Sequence, residues 1–225
     1  MIKLLLILSS LLVLNACSDK EQKDLDEETT PPLEEIDEQE GNEFPEEAAA
    51  EIDFRRYFKP ADSTASFIGD GNEFASYTEK TNWLGENYVA TVINNGGAVI
   101  MKVYRVIDTQ IELVMDELVE GMPEDANYPD IATLDELPAL EIYLAGPIEV
   151  GTTFENWTII ETGITLSTPY QTFNNVFVIE ETGEGFSNKK YIVEDYGIIK
   201  TESVMSAELS EEVTVTSTLE NIALH

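Results

Sequence analysis

The alternation near the C-terminus constrains the fold most. From Val213 to Ala223, Val213, Val215 and Leu219 fall on one face of an extended chain and Thr214, Thr216 and Thr218 on the other. A period of two is that of a strand with one buried and one wet face. The same spacing, rich in Val, Ile, Thr, Tyr and Phe, runs through the chain from Phe54 onward and predicts an all-β fold. Predicted strands are Phe67 with its neighbours, Glu73–Thr81, Tyr88–Ile93, Ala98–Ile107, Gln110–Val119, Leu140–Leu144, Phe154–Glu161, Ile164–Thr168, Asn175–Glu181, Lys189–Val193, Ile198–Met205 and Val213–Ala223. Short turns, "NNGG" at 94–97 and "ETG" at 161–163, make the pairing antiparallel. A sheet of about ten such strands does not stay flat, so the expected architecture is antiparallel meanders forming a curved sheet, half-barrel or barrel-like domain.

One stretch breaks the pattern. Residues 120–138, "EGMPEDANYPDIATLDELP", hold three prolines and no clear period, and read as a long loop or a crossing between two sheets. This divides the folded part into halves 54–120 and 139–225. Sliding one half onto the other by 87 residues places Val89 on Val176, Tyr104 on Tyr191, Val106 on Val193, Asp108 on Asp195 and Ile111 on Ile198, as two similar halves would.

The N-terminus is a different kind of sequence. Lys3 is followed by an apolar run from Leu4 to Leu14, too short for a spanning helix and suited to the core of a signal peptide, residues 1–16. Leu14-Asn15-Ala16-Cys17 then resembles the lipobox of bacterial lipoproteins, in which the cysteine carries a diacylglyceryl group and becomes the first mature residue. The resemblance implies lipidation at Cys17, with palmitate-type chains holding the protein on the outer face of the cell membrane. Two acyl chains at ~0.8 kcal/mol per buried methylene make such an anchor stable. Residues 17–53 follow as a tether: between 18 and 53 lie sixteen acidic residues against Lys20 and Lys23. So few large apolar side chains cannot offset the entropy of ordering, and the segment is expected to be a disordered acidic linker. The β domain is residues 54–225.

Composition excludes several chemistries. His225 is the only histidine and Cys17 the only cysteine, which removes Ser-His-Asp and Cys-His nucleophiles, disulfides, and histidine or thiolate metal sites. Twelve basic residues against forty-five acidic ones, net charge −33, disfavour a nucleic-acid partner. Paired carboxylates such as Glu180-Glu181 and Glu211-Glu212 read as solvated strand ends. In "SFIGDGNEFASY", Asp70, Asn72 and Glu73 suggest a calcium loop, but Phe74 and Ala75 stand where ligand and glycine are needed. The stretch is therefore expected to be a turn, with no metal, catalytic residue or non-covalent cofactor predicted. Trp83, Tyr88, Tyr104, Trp157, Tyr170, Tyr191 and Tyr196 supply core, or a stacking surface for a ligand that the sequence leaves unknown.

"YFKPADSTASFIGDGNEFASYTEK", "NNGGAVIMKVYRV", "STPYQTFNNVFVIEE" and "KKYIVEDYGIIKTE", spanning residues 57–205, together resemble the β-rich domains of Bacillus-type Gram-positive lipoproteins. The resemblance transfers no ligand residues. Two functions are expected from it and from the composition: a non-catalytic lipoprotein binding an envelope protein or glycan, or a carrier of a lipid or other hydrophobic ligand. A large dry cavity would favour the carrier, and a filled core with an exposed aromatic or acidic groove the binder.

Overall fold

A computed structural model describes residues 52–206 and 212–225. The signal peptide, Cys17 and all but the end of the predicted tether lie outside the described residues, as does Glu211. Twelve strands follow one another: β1 Ser63–Asp70, β2 Tyr77–Trp83, β3 Tyr88–Asn94, β4 Val99–Ile107, β5 Gln110–Leu118, β6 Glu141–Ala145, β7 Thr153–Phe154, β8 Trp157–Ser167, β9 Thr172–Gly183, β10 Phe186–Val193, β11 Gly197–Met205 and β12 Val213–Leu224. The remaining regular structure is a helix α1, Ile131–Asp135, and 3-10 turns at Phe54–Tyr57 and Pro123–Asp125. The all-β expectation holds.

The strands form one antiparallel sheet in the order β6-β5-β4-β3-β2-β1-β12-β11-β10-β9-β8-β7. The first and last strands pair at its centre, and a six-stranded meander runs outward on each side. No ladder joins β6 to β7, but the sheet curls until these two edges meet, where the Ile142 amide donates to Glu155 Oε1 at 3.4 Å. One apolar cluster therefore holds Val89, Tyr104, Ile111 and Leu144 from one meander with Ile159, Phe177, Ile179 and Ile192 from the other, packed around Phe54, Tyr57 and Phe58. The result is a nearly closed, barrel-like sheet whose interior is plugged by residues 54–59.

The turn at 94–97 forms as expected: Asn94 Oδ1 accepts from the Gly96 amide (2.9 Å), Asn95 Oδ1 from Gly97 (3.0 Å), and Gly96 takes a positive φ of 80°. Three expectations need correction. Of the two readings of residues 120–138, the long connection stands and the crossing between sheets does not, because β5 and β6 are neighbours, with Gln110 opposite Ala145. They fold instead over the outside of the first meander, where Leu134 is fully buried against Tyr88, Ala90, Val92 and Val103, and Tyr88 Oη donates to Asp135 Oδ1 at 2.8 Å. Since β6 belongs to the first meander, the division between meanders falls between Ala145 and Thr153 rather than at 120–138. "ETG" at 161–163 is not a turn: β8 runs through Gly163, whose φ of 71° sits in a series of register shifts that let the strand bend. Finally, β2 starts at Tyr77, because Glu73–Ser76 are taken up by the turn before it.

The 87-residue offset carries β3 onto β9, β4 onto β10 and β5 onto β11. Tyr104 and Val106 belong to the interior cluster, however, whereas Tyr191 and Val193 pack in a second cluster with Phe173, Val176 and Ile199. In β10 the inward positions are Lys190 and Ile192, so the offset matches strands throughout but faces only at Ile111 and Ile198, both of which pack in the interior cluster.

Leu134 is the one fully buried residue of α1, so Leu134→Ala should cost about 2–5 kcal/mol. Urea unfolding checks this; a loss under about 1 kcal/mol would mean that the segment does not cover the sheet.

Candidate functional site

The residues singled out in "GDGN" are structural. Asp70 Oδ1 accepts from the Gly71 amide (2.9 Å) and Asn72 Oδ1 from Phe74 (2.6 Å), while Gly71 adopts a φ of 84°. Both side chains thus bond their own backbone, as a turn requires. Glu180 accepts from the Ser187 hydroxyl (2.9 Å) and Glu181 from Asn188 Nδ2 (3.3 Å), so these acids bridge β9 to β10 rather than end a strand in solvent. Cys17 lies outside the described residues.

Two other places gather chemistry. The first is inside the barrel. Asp53 caps the 3-10 turn by accepting from the Arg55 amide (3.1 Å), which directs Phe54 and Tyr57 inward and leads into Phe58 and Lys59. Lys59 is buried. Its Nζ donates to Glu79 Oε1 at 2.7 Å and to the Ile198 carbonyl at 3.2 Å, and stands 5.0 Å from the Phe67 ring centre. Above this plug a cavity of about 220 Å³ remains, lined among others by Tyr77, Thr91, Tyr104, Tyr143, Lys102, Glu141 and Lys190. Tyr77 stacks on Phe67 at 4.4 Å, and Tyr104 meets Tyr143 at 4.8 Å.

Burial pushes the hydroxyls of Tyr77, Tyr104 and Tyr143 well above the ordinary tyrosine range, so all three remain protonated. The Thr91 hydroxyl is buried with no hydrogen-bond partner among the described residues, as is that of its cross-strand neighbour Thr81. Lys102 pairs with Asp116 at 2.6 Å. Lys190 forms no ion pair with a described residue. Its Nζ lies 4.0 Å from the Trp157 ring centre and 5.3 Å from that of Tyr143. Burial lowers this ammonium to about 8, with Glu141 and Glu181 opposing the drop and Lys102 adding to it.

Of this group, the sequence reading named Tyr104 and Trp157 but not Tyr77, Tyr143 or Lys190. The missed signal lay in parity: Lys189 and Lys190 are adjacent, so one must share the face of the apolar Ile192, and Lys190 is the one in step with it.

The second place is an outer groove of about 520 Å³ beside the β8–β9 hairpin, lined by Gln171, Asn174, Asn175, Asp195, Tyr196 and Phe173 with others. Arg56 holds one wall through Glu194 (2.7 Å) and Asp195 (2.8 Å). The hydrogen bond from Arg56 keeps the Asp195 carboxyl below the usual range. Tyr196 meets the Phe173 ring edge-on at 4.9 Å, and Tyr170 reaches across to donate its amide to the Leu219 carbonyl at 3.3 Å. The groove therefore offers planar amides, carboxylates and aromatic rings together.

No family model matches the chain, and no curated protein matches it. Two crystal structures are similar in outline. One is of a protein from Bacteroides fragilis designated exported, with a YmcC-like fold; it is 14% identical with a TM-score of 0.45, over 74% of this chain and 98% of that one. The other, from Parabacteroides distasonis and designated a lipoprotein, is 12% identical with a TM-score of 0.44, over 74% of this chain and 98% of that one. At these scores the likenesses establish neither family nor activity.

Lys190 gives the site a pH signature. Its folded-state value of about 8 lies below the ~10.4 of an exposed lysine, so between these values the unfolded chain binds more protons and stability rises with pH. The contribution is complete only above ~10.4. Urea midpoints measured from pH 7 to 10 should rise less steeply in Lys190→Met than in the unaltered chain. Identical slopes would place the ammonium in solvent.

Proposed function

We propose that the chain is a lipoprotein held on the outer face of the cell membrane through a diacylglyceryl group on Cys17, and that its β domain binds an envelope glycan without catalysing a reaction. The anchor rests on the apolar run followed by Leu14-Asn15-Ala16-Cys17, and residues 57–205 add the resemblance to Bacillus-type lipoproteins. The observation that carries the binding role is the outer groove. Amide and carboxylate groups of Gln171, Asn174, Asn175 and Asp195 can hydrogen-bond neighbouring hydroxyls of a sugar, with Tyr196 beside them as an amphipathic surface. A carrier would need an apolar chamber. The plug of Phe54, Tyr57 and Phe58 occupies that volume, and the remaining 220 Å³ is below the roughly 300–1,000 Å³ usual for drug-sized ligands.

Two experiments test the two parts. Cys17→Ser should abolish labelling by a fatty-acid probe in cells; persistent labelling overturns the anchor. In co-sedimentation with isolated cell-wall glycan, the unaltered chain should pellet, and Asn174→Ala with Tyr196→Ala should reduce the bound fraction about tenfold or more. Pelleting unaffected by both substitutions, or binding only to an envelope protein, overturns the glycan reading. Organic extraction of the purified chain should release no stoichiometric free lipid, whereas one lipid per chain would favour the carrier.

A further inference from the structure

The inner cavity meets the outer groove only at Tyr57, and its lining has an imbalance of its own. Of its three lysines, Lys59 has Glu79 at 2.7 Å and Lys102 has Asp116 at 2.6 Å, while Lys190 forms no ion pair with a described residue and rests against the faces of Trp157 and Tyr143. Two ring faces can stabilise an ammonium, but they are poor acceptors for its three N–H groups. Tyr77, Tyr104 and Tyr143 add hydroxyl donors, and Thr91 adds a buried hydroxyl with no partner among the described residues. Of the two carboxylates of the lining, Glu79 is bound to Lys59, and Glu141 is exposed and acts on Lys190 without forming an ion pair with it.

Such a lining calls for an acceptor. We propose that the cavity is a binding site for a small organic monocarboxylate, whose carboxylate meets the Lys190 ammonium and the tyrosine hydroxyls while its apolar body lies between the aromatic rings. Charge and size both restrict the ligand. The two glutamates and a net charge of −33 repel a dianion such as a phosphate monoester more than a monoanion. About 220 Å³ holds roughly seven water-sized groups at ~30 Å³ each, so the ligand has on the order of seven to ten non-hydrogen atoms.

The full chain, purified in detergent, serves for the test, with Trp83→Phe leaving Trp157 as the one tryptophan. Titration with sodium benzoate should change Trp157 emission saturably and raise the melting temperature of the unaltered chain, since a ligand of the folded state stabilises it. Methyl benzoate, of the same shape without the charge, should do neither, and Lys190→Met should weaken benzoate at least tenfold. An equal response to the ester, undiminished binding in Lys190→Met, or no saturable response to benzoate, acetate and pyruvate alike would overturn the proposal. The melting-temperature comparison of benzoate with its ester uses the unaltered chain, so that arm does not depend on how either variant folds. Glycan sedimentation is read separately, so failure here leaves the outer groove untouched.

Discussion

Everything in this structure depends on the ladder between β1 and β12. It pairs Ser63 with Leu224 and Asp70 with Thr216, joining residues some 150 positions apart and setting two six-stranded meanders side by side. The C-terminus fastens the join: the His225 amide donates to the Asp62 carbonyl at 2.9 Å, and its Nε2 lies 2.9 Å from Thr64 Oγ1. Every other ladder is between strands adjacent in sequence, so it forms locally and at low entropic cost. Without the β1–β12 ladder each meander would be a ribbon with two exposed edges and half an interior.

Closing so wide a sheet creates a second demand, because the strands' own side chains do not fill the space. Residues 54–59 fill it. Three aromatic rings supply the bulk, and Lys59 brings a buried charge that Glu79 and the Ile198 carbonyl satisfy. Such a pair recovers its desolvation cost only with good geometry and further hydrogen bonds, and it adds little net stability. Its effect is on position. An uncompensated Glu79 or Lys59 would be costly, which ties the plug to β2 and β11 in one arrangement and thereby shapes the cavity above it.

The sequence made the strands legible because each has at least one face that must be apolar, and alternation reports that directly. Turns were legible where the side chains act locally, as at Asn94-Asn95 and Asp70-Asn72. Gly163 misled because a glycine with positive φ serves a bend inside a strand as well as a turn between two, and only the register of β8 on β9 tells them apart. Residues 120–138 misled because a covering segment buries few side chains, chiefly Leu134, and shows no period. The cavity was the least legible part. Tyr77, Tyr104, Tyr143 and Lys190 come from β2, β4, β6 and β10, and nothing in their spacing predicts that the curl of the sheet brings them together.

The open seam is where the one cavity lysine with no ion pair to a described residue stands. β6 and β7 are the free edges of the sheet, five and two residues long, and short edges resist pairing with other chains. Short edges also hold each other weakly: they share the Ile142–Glu155 hydrogen bond but no ladder. Lys190, on β10, reaches Tyr143 on β6 and Trp157 on β8, one ring from each side of the gap. These contacts bring one ring from each side onto a single side chain where backbone pairing is missing. The contact across the seam and the donor in the cavity are thus one side chain.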